Sequence, residues 1–142
     1  PPTLLYSSAA SDVYKRQVNV EGFEYWIGVY SENEERNELP FHFDKDEHWY
    51  NQTKVIITPI IGTVFYPWEN DIDGGYLEIY PHGQDGEPER LEPKYNRLVI
   101  FPAGQHPHRV TKVTRGTRRA IAINLWDKVP SGLEVGDLFL EN

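Results

Sequence analysis

The side chains best suited to chemistry in this sequence are two imidazoles, one carboxylate and one guanidinium, which belong to His42, Asp44, His108 and Arg118. Two histidines and one acidic residue form the ligand set of non-haem Fe(II) sites, in which the protein ligands cover one face of the metal and leave the other positions open. Arg118 follows His108 by ten residues, and an arginine can bind the far carboxylate of a dicarboxylate cosubstrate through a bidentate contact. The four residues therefore predict a metal site with an anion-binding group beside it.

The spacing of these residues suits extended backbone. Side chains two residues apart on a strand point to the same side, so His42 and Asp44 would project together and share one metal. The same alternation places His108, Val110 and Lys112 together. It also groups a second set of side chains, those of Arg118, Ala120, Ala122 and Asn124. Both segments indicate strands of a barrel whose interior is polar at one end.

Neighbouring residues compete for the same roles. Asp46 shares the alternation of Asp44, but it would need a longer reach from His42, and it is expected to orient a ligand or cap the following turn. Arg119 is adjacent to Arg118, so the two face opposite sides of a strand and one of them can enter the barrel. Arg118 is preferred because its inward neighbours, Ala120 and Ala122, are small.

The combined pattern resembles the Fe(II)/2-oxoglutarate-dependent dioxygenases, in particular their prolyl-4-hydroxylase-like branch. The matching stretches are His42-Phe-Asp44, Gly74-Gly75-Tyr-Leu-Glu-Ile and Phe101-Pro102…His108-Arg-Val110…Val113…Gly116-Thr-Arg118. The resemblance covers residues 23–127 and implies an all-β double-stranded β-helix (a jelly roll, or cupin-like barrel). It also implies that His42, Asp44 and His108 are catalytic iron ligands.

The same resemblance implies the cofactors and the reaction. Fe(II) and 2-oxoglutarate are expected, with ascorbate as an optional addition, and Arg118 would pair with 2-oxoglutarate. A hydroxyl donor usually accompanies such an arginine in the family; Tyr66 and Thr58 are the candidates, and Tyr66 is assigned to cofactor binding. The implied reaction hydroxylates a C–H bond of a peptidyl residue or small molecule and releases succinate and CO2.

Two alternatives stay open. A non-catalytic jelly-roll module could bind a sugar or another small ligand in the same pocket. A cupin-type metalloenzyme would use the His-x-His pair of His106 and His108, although cupins place a glutamate about four residues further on, where this chain has Thr-Lys-Val at 111–113. His108 is preferred to His106 because its spacing to Val110 and Arg118 matches the hydroxylase signature.

Composition narrows the classes of protein and partner. A chain of 142 residues with 39% hydrophobic and 13% aromatic residues is large enough for one globular domain. It has no apolar run near the roughly eighteen residues that would cross a membrane, and the net charge of −8 argues against nucleic acid as a partner. Without cysteine, the strong metal ligands are His, Asp and Glu. The expected partner is a small-molecule or peptide substrate, and the expected location is cytoplasmic.

The two ends of the chain are assigned separately. There is no methionine, and residues 6–17, Tyr-Ser-Ser-Ala-Ala-Ser-Asp-Val-Tyr-Lys-Arg-Gln, resemble translated sequencing-adapter read-through. We assign residues 1–17 to a non-native segment, 18–130 to the double-stranded β-helix oxygenase domain and 131–142 to a C-terminal tail. The family's N-terminal helices are expected to be missing, so apolar surface should be exposed.

Aromatic and β-branched segments bounded by turn residues predict the strands. The predicted strands are 23–30, 41–44, one or two pieces in 54–66, 76–80, 96–101, 108–113 and 118–126. A turn of helix or an irregular loop is expected in 46–54 and an exposed loop in 81–93. Gly74 and Gly75 are expected to supply positive φ, and His48 and His82 to be exposed. The four tryptophans are expected to pack in the core or at its rim, namely Trp26, Trp49, Trp68 and Trp126.

Overall fold

A computed structural model of the chain describes residues 3–6 and 19–132. In chain order its elements are β1 (Thr3–Tyr6), β2 (Gly22–Ser31), β3 (Leu39–His42), α1 (Glu47–Thr53), β4 (Ile61–Tyr66), β5 (Asp73–Gly74), β6 (Leu77–Ile79), β7 (Glu89–Leu91), β8 (Arg97–Phe101), β9 (His108–Val110), β10 (Val113–Arg115) and β11 (Thr117–Trp126). Most of the segment assigned as non-native, and the tail after residue 132, lie outside the described residues. In the described part of the chain, no helix has the length and apolar character needed to cross a bilayer.

The strands form two main sheets with the core between them. One sheet has the order β1-β8-β4-β11-β2 and the other β3-β9-β6-β7, while β10 and β5 form a separate two-stranded ladder. Strand β1 lies parallel to β8, and the pairs that flank β11 and β9 are antiparallel. Buried side chains of both sheets pack together, including Tyr66, Val99 and Phe101 from the first and Leu77 and Ile79 from the second. The predicted all-β jelly roll is confirmed.

Strand β11 shows why the alternation of side chains decides what enters the core. Arg118, Ala120 and Asn124 are buried, whereas Arg119 is exposed. Because β11 pairs with β2 on one side and β4 on the other, its inward side chains lie at the middle of the larger sheet. The predicted inward orientation of Arg118 is confirmed.

The outer face of β2 exposes large apolar side chains. Phe23, Tyr25, Ile27 and Val29 alternate along this strand and are each at least 40% exposed. Their neighbours on β2 face the other way, and Tyr30 is buried in a cluster with Val113. The exposed apolar surface expected from the sequence is therefore present on the larger sheet.

Some element boundaries differ from the predictions. Strand β9 ends at Val110, and the chain then leaves the sheet: the Val113 N–H donates to the Asn37 carbonyl at 2.9 Å. Val113 takes a buried position, so the prediction that Lys112 continues the alternation of His108 was wrong. The predicted loop 81–93 contains β7, which pairs with β6. In 54–66, the strand begins only at Ile61, after Pro59.

Candidate active site

Strands β3 and β9 bring the two predicted histidine ligands together. They pair antiparallel with His42 directly opposite His108, and the centroids of the two imidazole rings are 4.3 Å apart. Strand β3 ends at His42, so Asp44 follows the strand instead of lying within it. The Asp44 N–H donates to the Ala103 carbonyl at 2.9 Å, which holds this short segment against the exit of β8.

The three side chains converge on one point. Asp44 Oδ1 lies 3.3 Å from His42 Nε2 and 3.6 Å from His108 Nε2, and one donor atom from each residue lies within 4.8 Å of the other two. Metal–ligand bonds of about 2 Å place neighbouring donor atoms roughly 3 Å apart. The group therefore has the donor types and the spacing that a metal ion requires.

Backbone carbonyls orient both imidazoles. His42 Nδ1 donates to the Pro40 carbonyl at 2.8 Å, and His108 Nδ1 donates to the His106 carbonyl at 3.0 Å. A carbonyl oxygen can only accept, so Nδ1 carries the proton in each ring. In the neutral imidazole this leaves the lone pair on Nε2, the nitrogen that faces Asp44.

Burial and hydrogen bonding set the charge of the group. Burial lowers the pKa of His108. For His42, burial acts in the same direction, but hydrogen bonds to Asp44 and Pro40 outweigh it and the pKa is raised. Burial would raise the pKa of Asp44, but its contacts with His42, His108 and Asn124 hold it below the usual range. Asp44 is therefore an ionised carboxylate at neutral pH, the form that binds a cation.

Arg118 lies buried near the same group. Its Nε donates to the Gly75 carbonyl at 3.0 Å and its Nη2 to the Tyr66 hydroxyl at 2.8 Å. The guanidinium also lies 5.7 Å from the Tyr30 ring centroid. None of the ion pairs among the described residues includes Arg118. A buried cation without a carboxylate partner is costly, so this position suits an anionic ligand.

One cavity connects the two groups. Its walls include His42, Asp44, His108 and Arg118, and they are completed by inward side chains of β2, β4 and β11. A wider cleft of about 400 Å³ shares His42, Asp44 and Asn124 with this cavity and also contacts Glu24. Trp26 lines both spaces. The His-Asp-His group and Arg118 therefore line one small cavity of about 50 Å³, and the wider cleft lies beside it.

The competing histidine and aspartate do not belong to the metal-binding group, although Asp46 lines the wider cleft. His106 is not part of the metal-binding group found among the described residues. Asp46 caps α1 by accepting from the Trp49 N–H at 2.8 Å. Capping was one of the two roles predicted for it. It also accepts from the Ser131 N–H at 2.6 Å. His48 and His82 are exposed, as predicted.

Of the two candidate hydroxyl donors, Tyr66 contacts Arg118 and Thr58 does not. An ideal Cβ built on Gly104 would lie 2.3 Å from the Thr58 Cβ, so Thr58 packs against that loop. Neither Tyr66 nor Thr58 lines the two cavities, and Tyr66 is linked to the site through its contact with Arg118. Among the tryptophans, Trp126 is fully buried in the core. Trp49 and Trp68 are partly exposed and, unlike Trp26, line neither cavity.

Tyr30 and Asn124 contribute to the site in ways the sequence did not predict. Tyr30 is the register partner of Arg118 on β2, a relationship that could be found only by aligning the two strands. Asn124 was expected to point inward. Its hydrogen bond to Asp44, at 2.9 Å, was not predicted, because it joins residues from distant parts of the chain.

Comparison with known proteins agrees with this geometry. The model of the 2OG-Fe(II) oxygenase superfamily matches residues 25–126, which is most of the chain. The chain belongs to this superfamily. The family expected from the sequence is therefore confirmed. No curated protein gives a significant match to this 2OG-Fe(II) oxygenase chain.

Solved structures share the fold of this 2OG-Fe(II) oxygenase. A Pseudomonas putida prolyl-4-hydroxylase is 23% identical with a TM-score of 0.59, over 78% of this chain and 56% of that one. A prolyl hydroxylase from Trichoplax adhaerens, in complex with a hypoxia inducible factor oxygen degradation domain peptide fragment, is 18% identical with a TM-score of 0.58, over 78% and 46%. A 2OG-Fe(II) oxygenase family oxidoreductase from Burkholderia pseudomallei is 17% identical with a TM-score of 0.55, over 84% and 50%. The chain spans about half the length of these proteins.

Proposed function

We propose that this protein is an Fe(II)- and 2-oxoglutarate-dependent dioxygenase that hydroxylates a peptidyl residue or a small molecule and releases succinate and CO2. The observation that carries the proposal is one cavity lined both by a His-Asp-His group and by a buried guanidinium without a carboxylate partner among the described residues. Superfamily membership supports Fe(II) and 2-oxoglutarate as the occupants of this cavity. The use of ascorbate and a cytoplasmic location stay predictions.

The donor set fits Fe(II). His42 Nε2, His108 Nε2 and Asp44 Oδ1 would bind the metal on one face. The Nδ1–H groups of both histidines are already engaged with backbone carbonyls, so the rings need not turn to bind. When bound, Fe(II) and 2-oxoglutarate supply the oxidising chemistry, in which one atom of dioxygen enters the substrate C–H bond and the other enters succinate as CO2 leaves.

Arg118 would hold the carboxylate of 2-oxoglutarate that is remote from the keto acid. Its N–H groups not bonded to Gly75 or Tyr66 can donate to that carboxylate. The oxygen of the Tyr66 hydroxyl accepts from Arg118 at 2.8 Å, and its O–H group would donate a hydrogen bond to the same anion. Ala120 and Ala122 line the cavity, and their small side chains leave room for the cosubstrate chain.

The wider cleft would receive the substrate because it shares His42 and Asp44 with the cosubstrate cavity. One similar structure contains a prolyl hydroxylase with a bound peptide fragment, which supports a peptidyl residue as one substrate class. Trp26 lines the cleft and is partly exposed, so it can pack against an apolar part of a substrate. The net charge of −8 makes nucleic acid an unsuitable substrate.

The test is anaerobic titration of the chain with Fe(II) and 2-oxoglutarate, followed by measurement of succinate after dioxygen is admitted with candidate peptides and small molecules. We expect metal-dependent binding of 2-oxoglutarate and succinate formation. The variant Asp44→Ala should lose both, because it removes the carboxylate that faces the two imidazoles. The variant Asp85→Ala, which changes an exposed aspartate in the loop before β7, is the matched control and should retain both.

Two results would contradict the proposal. Full succinate formation by Asp44→Ala would show that the group is not the catalytic metal site. Binding of a sugar or small acid by the wild-type chain without metal, and without any succinate formed, would favour the non-catalytic binding module.

A further inference from the structure

Asn124 is a buried amide that contacts one oxygen of Asp44. Its Nδ2 donates to Asp44 Oδ2 at 2.9 Å, and the residue is only 2% exposed. The other carboxylate oxygen, Oδ1, is the one that faces His42 and His108. The two oxygens of Asp44 are thus divided between the amide and the imidazoles.

A second carboxylate fixes which way the amide points. Asn124 Nδ2 also donates to Glu24 Oε1 at 3.3 Å. Carboxylate oxygens are acceptors, so the NH2 group of Asn124, and not its carbonyl oxygen, must lie between Asp44 and Glu24. Rotating the amide by half a turn would place its oxygen against two negatively charged groups.

The strand opposite Asn124 leaves space for this arrangement. Gly62 is the register partner of Asn124 on β4. An ideal Cβ at Gly62 would lie 2.9 Å from Asn124 Oδ1 and 2.4 Å from the Cβ of Ala103. A side chain at position 62 would therefore displace Asn124, or the loop whose carbonyl anchors Asp44.

From these contacts we propose that Asn124 is a positioning residue for the metal site. By occupying Oδ2 of Asp44, its amide leaves Oδ1 as the single oxygen presented to the metal, and Glu24 holds the amide in the donating orientation. The inference rests on the proposed function, since it takes Asp44 as a metal ligand. Hydrogen-bonded groups behind a metal ligand orient it, and removing them typically lowers metal affinity about 10–100-fold.

The experiment measures binding of Co(II), a spectroscopic substitute for Fe(II), to the chain by visible absorption. We compare the wild type with Asn124→Ala and with Asn124→Leu, which nearly preserves the volume of the side chain but cannot donate. Both should raise the Kd for Co(II) about 10–100-fold. Both should also change the Co(II) spectrum, because the released Oδ2 becomes able to bind the metal and the coordination number changes. A purely structural role would not produce that spectral change.

Control variants make each outcome decisive. Asn70→Ala removes an asparagine whose Nδ2 donates to the carbonyls of Trp68 and Pro93 and whose Oδ1 accepts from the Arg119 N–H. None of these partners belongs to the His-Asp-His group, so Co(II) affinity and spectrum should be unchanged. Glu24→Ala keeps Asn124 but removes the second acceptor of its amide, so it should weaken Co(II) binding. Glu24→Gln retains an acceptor oxygen and should bind Co(II) as the wild type does. The two Glu24 variants test the inference even if the Asn124 variants fail to fold.

Three results would overturn the inference. Unchanged Kd and spectrum in both Asn124 variants would show that the amide does not position Asp44, while leaving the proposed function intact. If Asn124→Leu binds Co(II) as the wild type does while Asn124→Ala binds it weakly, the loss of affinity comes from packing and not from the hydrogen bond. Failure of the wild-type chain itself to bind Co(II) would remove the proposed function together with the inference.

Discussion

Arg118 donates a hydrogen bond of 2.8 Å to the hydroxyl of Tyr66, and both side chains are buried. The same guanidinium donates to the Gly75 carbonyl. These contacts hold the cation in one orientation before any ligand arrives, so little conformational freedom is lost when an anion binds. The rest of the guanidinium can then form charge-assisted hydrogen bonds with a carboxylate.

Arg118→Met should therefore weaken the binding of 2-oxoglutarate far more than the binding of the metal. We expect a loss of about 2 kcal/mol or more, roughly a 30-fold rise in the Kd for 2-oxoglutarate, and little change in the Kd for Fe(II), because Arg118 is not part of the His-Asp-His group. Calorimetric titration of each ligand measures both constants. Arg119→Met is the control, since Arg119 is exposed on the opposite face of β11; equal losses of metal and cosubstrate in Arg118→Met would contradict its assigned role.

Gly75→Ala should weaken the same binding site indirectly, through Arg118. Gly75 has φ of +66°, and an ideal Cβ there would lie 3.1 Å from Arg118 Cδ, so the new methyl group would push against the arginine. We expect weaker 2-oxoglutarate binding with unchanged Fe(II) binding. Gly83→Ala is a matched control, because Gly83 also has positive φ, at +85°, but its Cβ would meet nothing within 4 Å.

Both glycine variants should lose stability from backbone strain, by about 1 kcal/mol. Thermal unfolding therefore records the backbone strain of both proteins and, for Gly75→Ala, the added contacts of the methyl group with Ile72 at 3.0 Å and Val113 at 3.1 Å. Titration with 2-oxoglutarate records the effect on Arg118. A similar change in 2-oxoglutarate affinity in both variants would show that strain, and not contact with Arg118, is responsible.

Histidine variants distinguish the oxygenase from the cupin-type alternative. His108→Ala should abolish Fe(II) binding, because His108 Nε2 lies 3.6 Å from Asp44 Oδ1. His106→Ala should bind Fe(II) nearly as the wild type does, since His106 contacts the site through its backbone carbonyl, which accepts from His108 Nδ1 and is kept in the variant. Titration with Fe(II) under anaerobic conditions measures both. Loss of binding in His106→Ala alone would favour the cupin-type site.

The regularity of individual strands explains which parts of the site were predictable. Strand β11 runs without interruption from Thr117 to Trp126, so simple alternation correctly separated Arg118 from Arg119. Strand β9 ends at Val110, and the same reasoning failed for Lys112 because the chain leaves the sheet there. Alternation predicts orientation only while the backbone stays extended.

Contacts between distant segments explain what could not be predicted. Strand β7 is only three residues long and lies between Pro88 and Pro93, so its sequence looks like a loop. Its pairing places Arg90 opposite Glu78, a relationship invisible from either segment alone. The link from Glu24 through Asn124 to Asp44 likewise joins β2, β11 and the end of β3, and no local pattern indicates it.

Glu78 offers a prediction about stability that does not involve the metal. It is 1% exposed and accepts hydrogen bonds from Arg90 Nε at 2.7 Å, Arg109 Nε at 2.6 Å and the Tyr80 hydroxyl at 3.0 Å. Burial would raise the pKa of Glu78, but these three donors outweigh it and the pKa lies below its ordinary value of 4.5. The ionised form is therefore the one that stabilises the fold.

Glu78→Gln should lower the free energy of unfolding by about 2 kcal/mol at neutral pH, because the negative charge facing Arg90 and Arg109 is lost and one acceptor oxygen becomes an NH2 group that faces a donor. A lowered pKa in the folded state gives stability that is present above the unfolded pKa and is lost as pH falls through the folded value. The difference between wild type and Glu78→Gln should therefore be largest near pH 7 and shrink below about pH 4.5. Urea unfolding at a series of pH values measures it.

Glu92→Gln provides the matched comparison. Glu92 pairs with Lys94 at 3.2 Å, but both side chains are more than half exposed, and exposed ion pairs contribute about 0–1 kcal/mol. The effect of Glu92→Gln on the free energy of unfolding should be small at every pH. A constant stability difference between wild type and Glu78→Gln from pH 3 to 7 would contradict the assignment, because it would mean that the charge of Glu78 contributes nothing and that only the shape of the side chain matters.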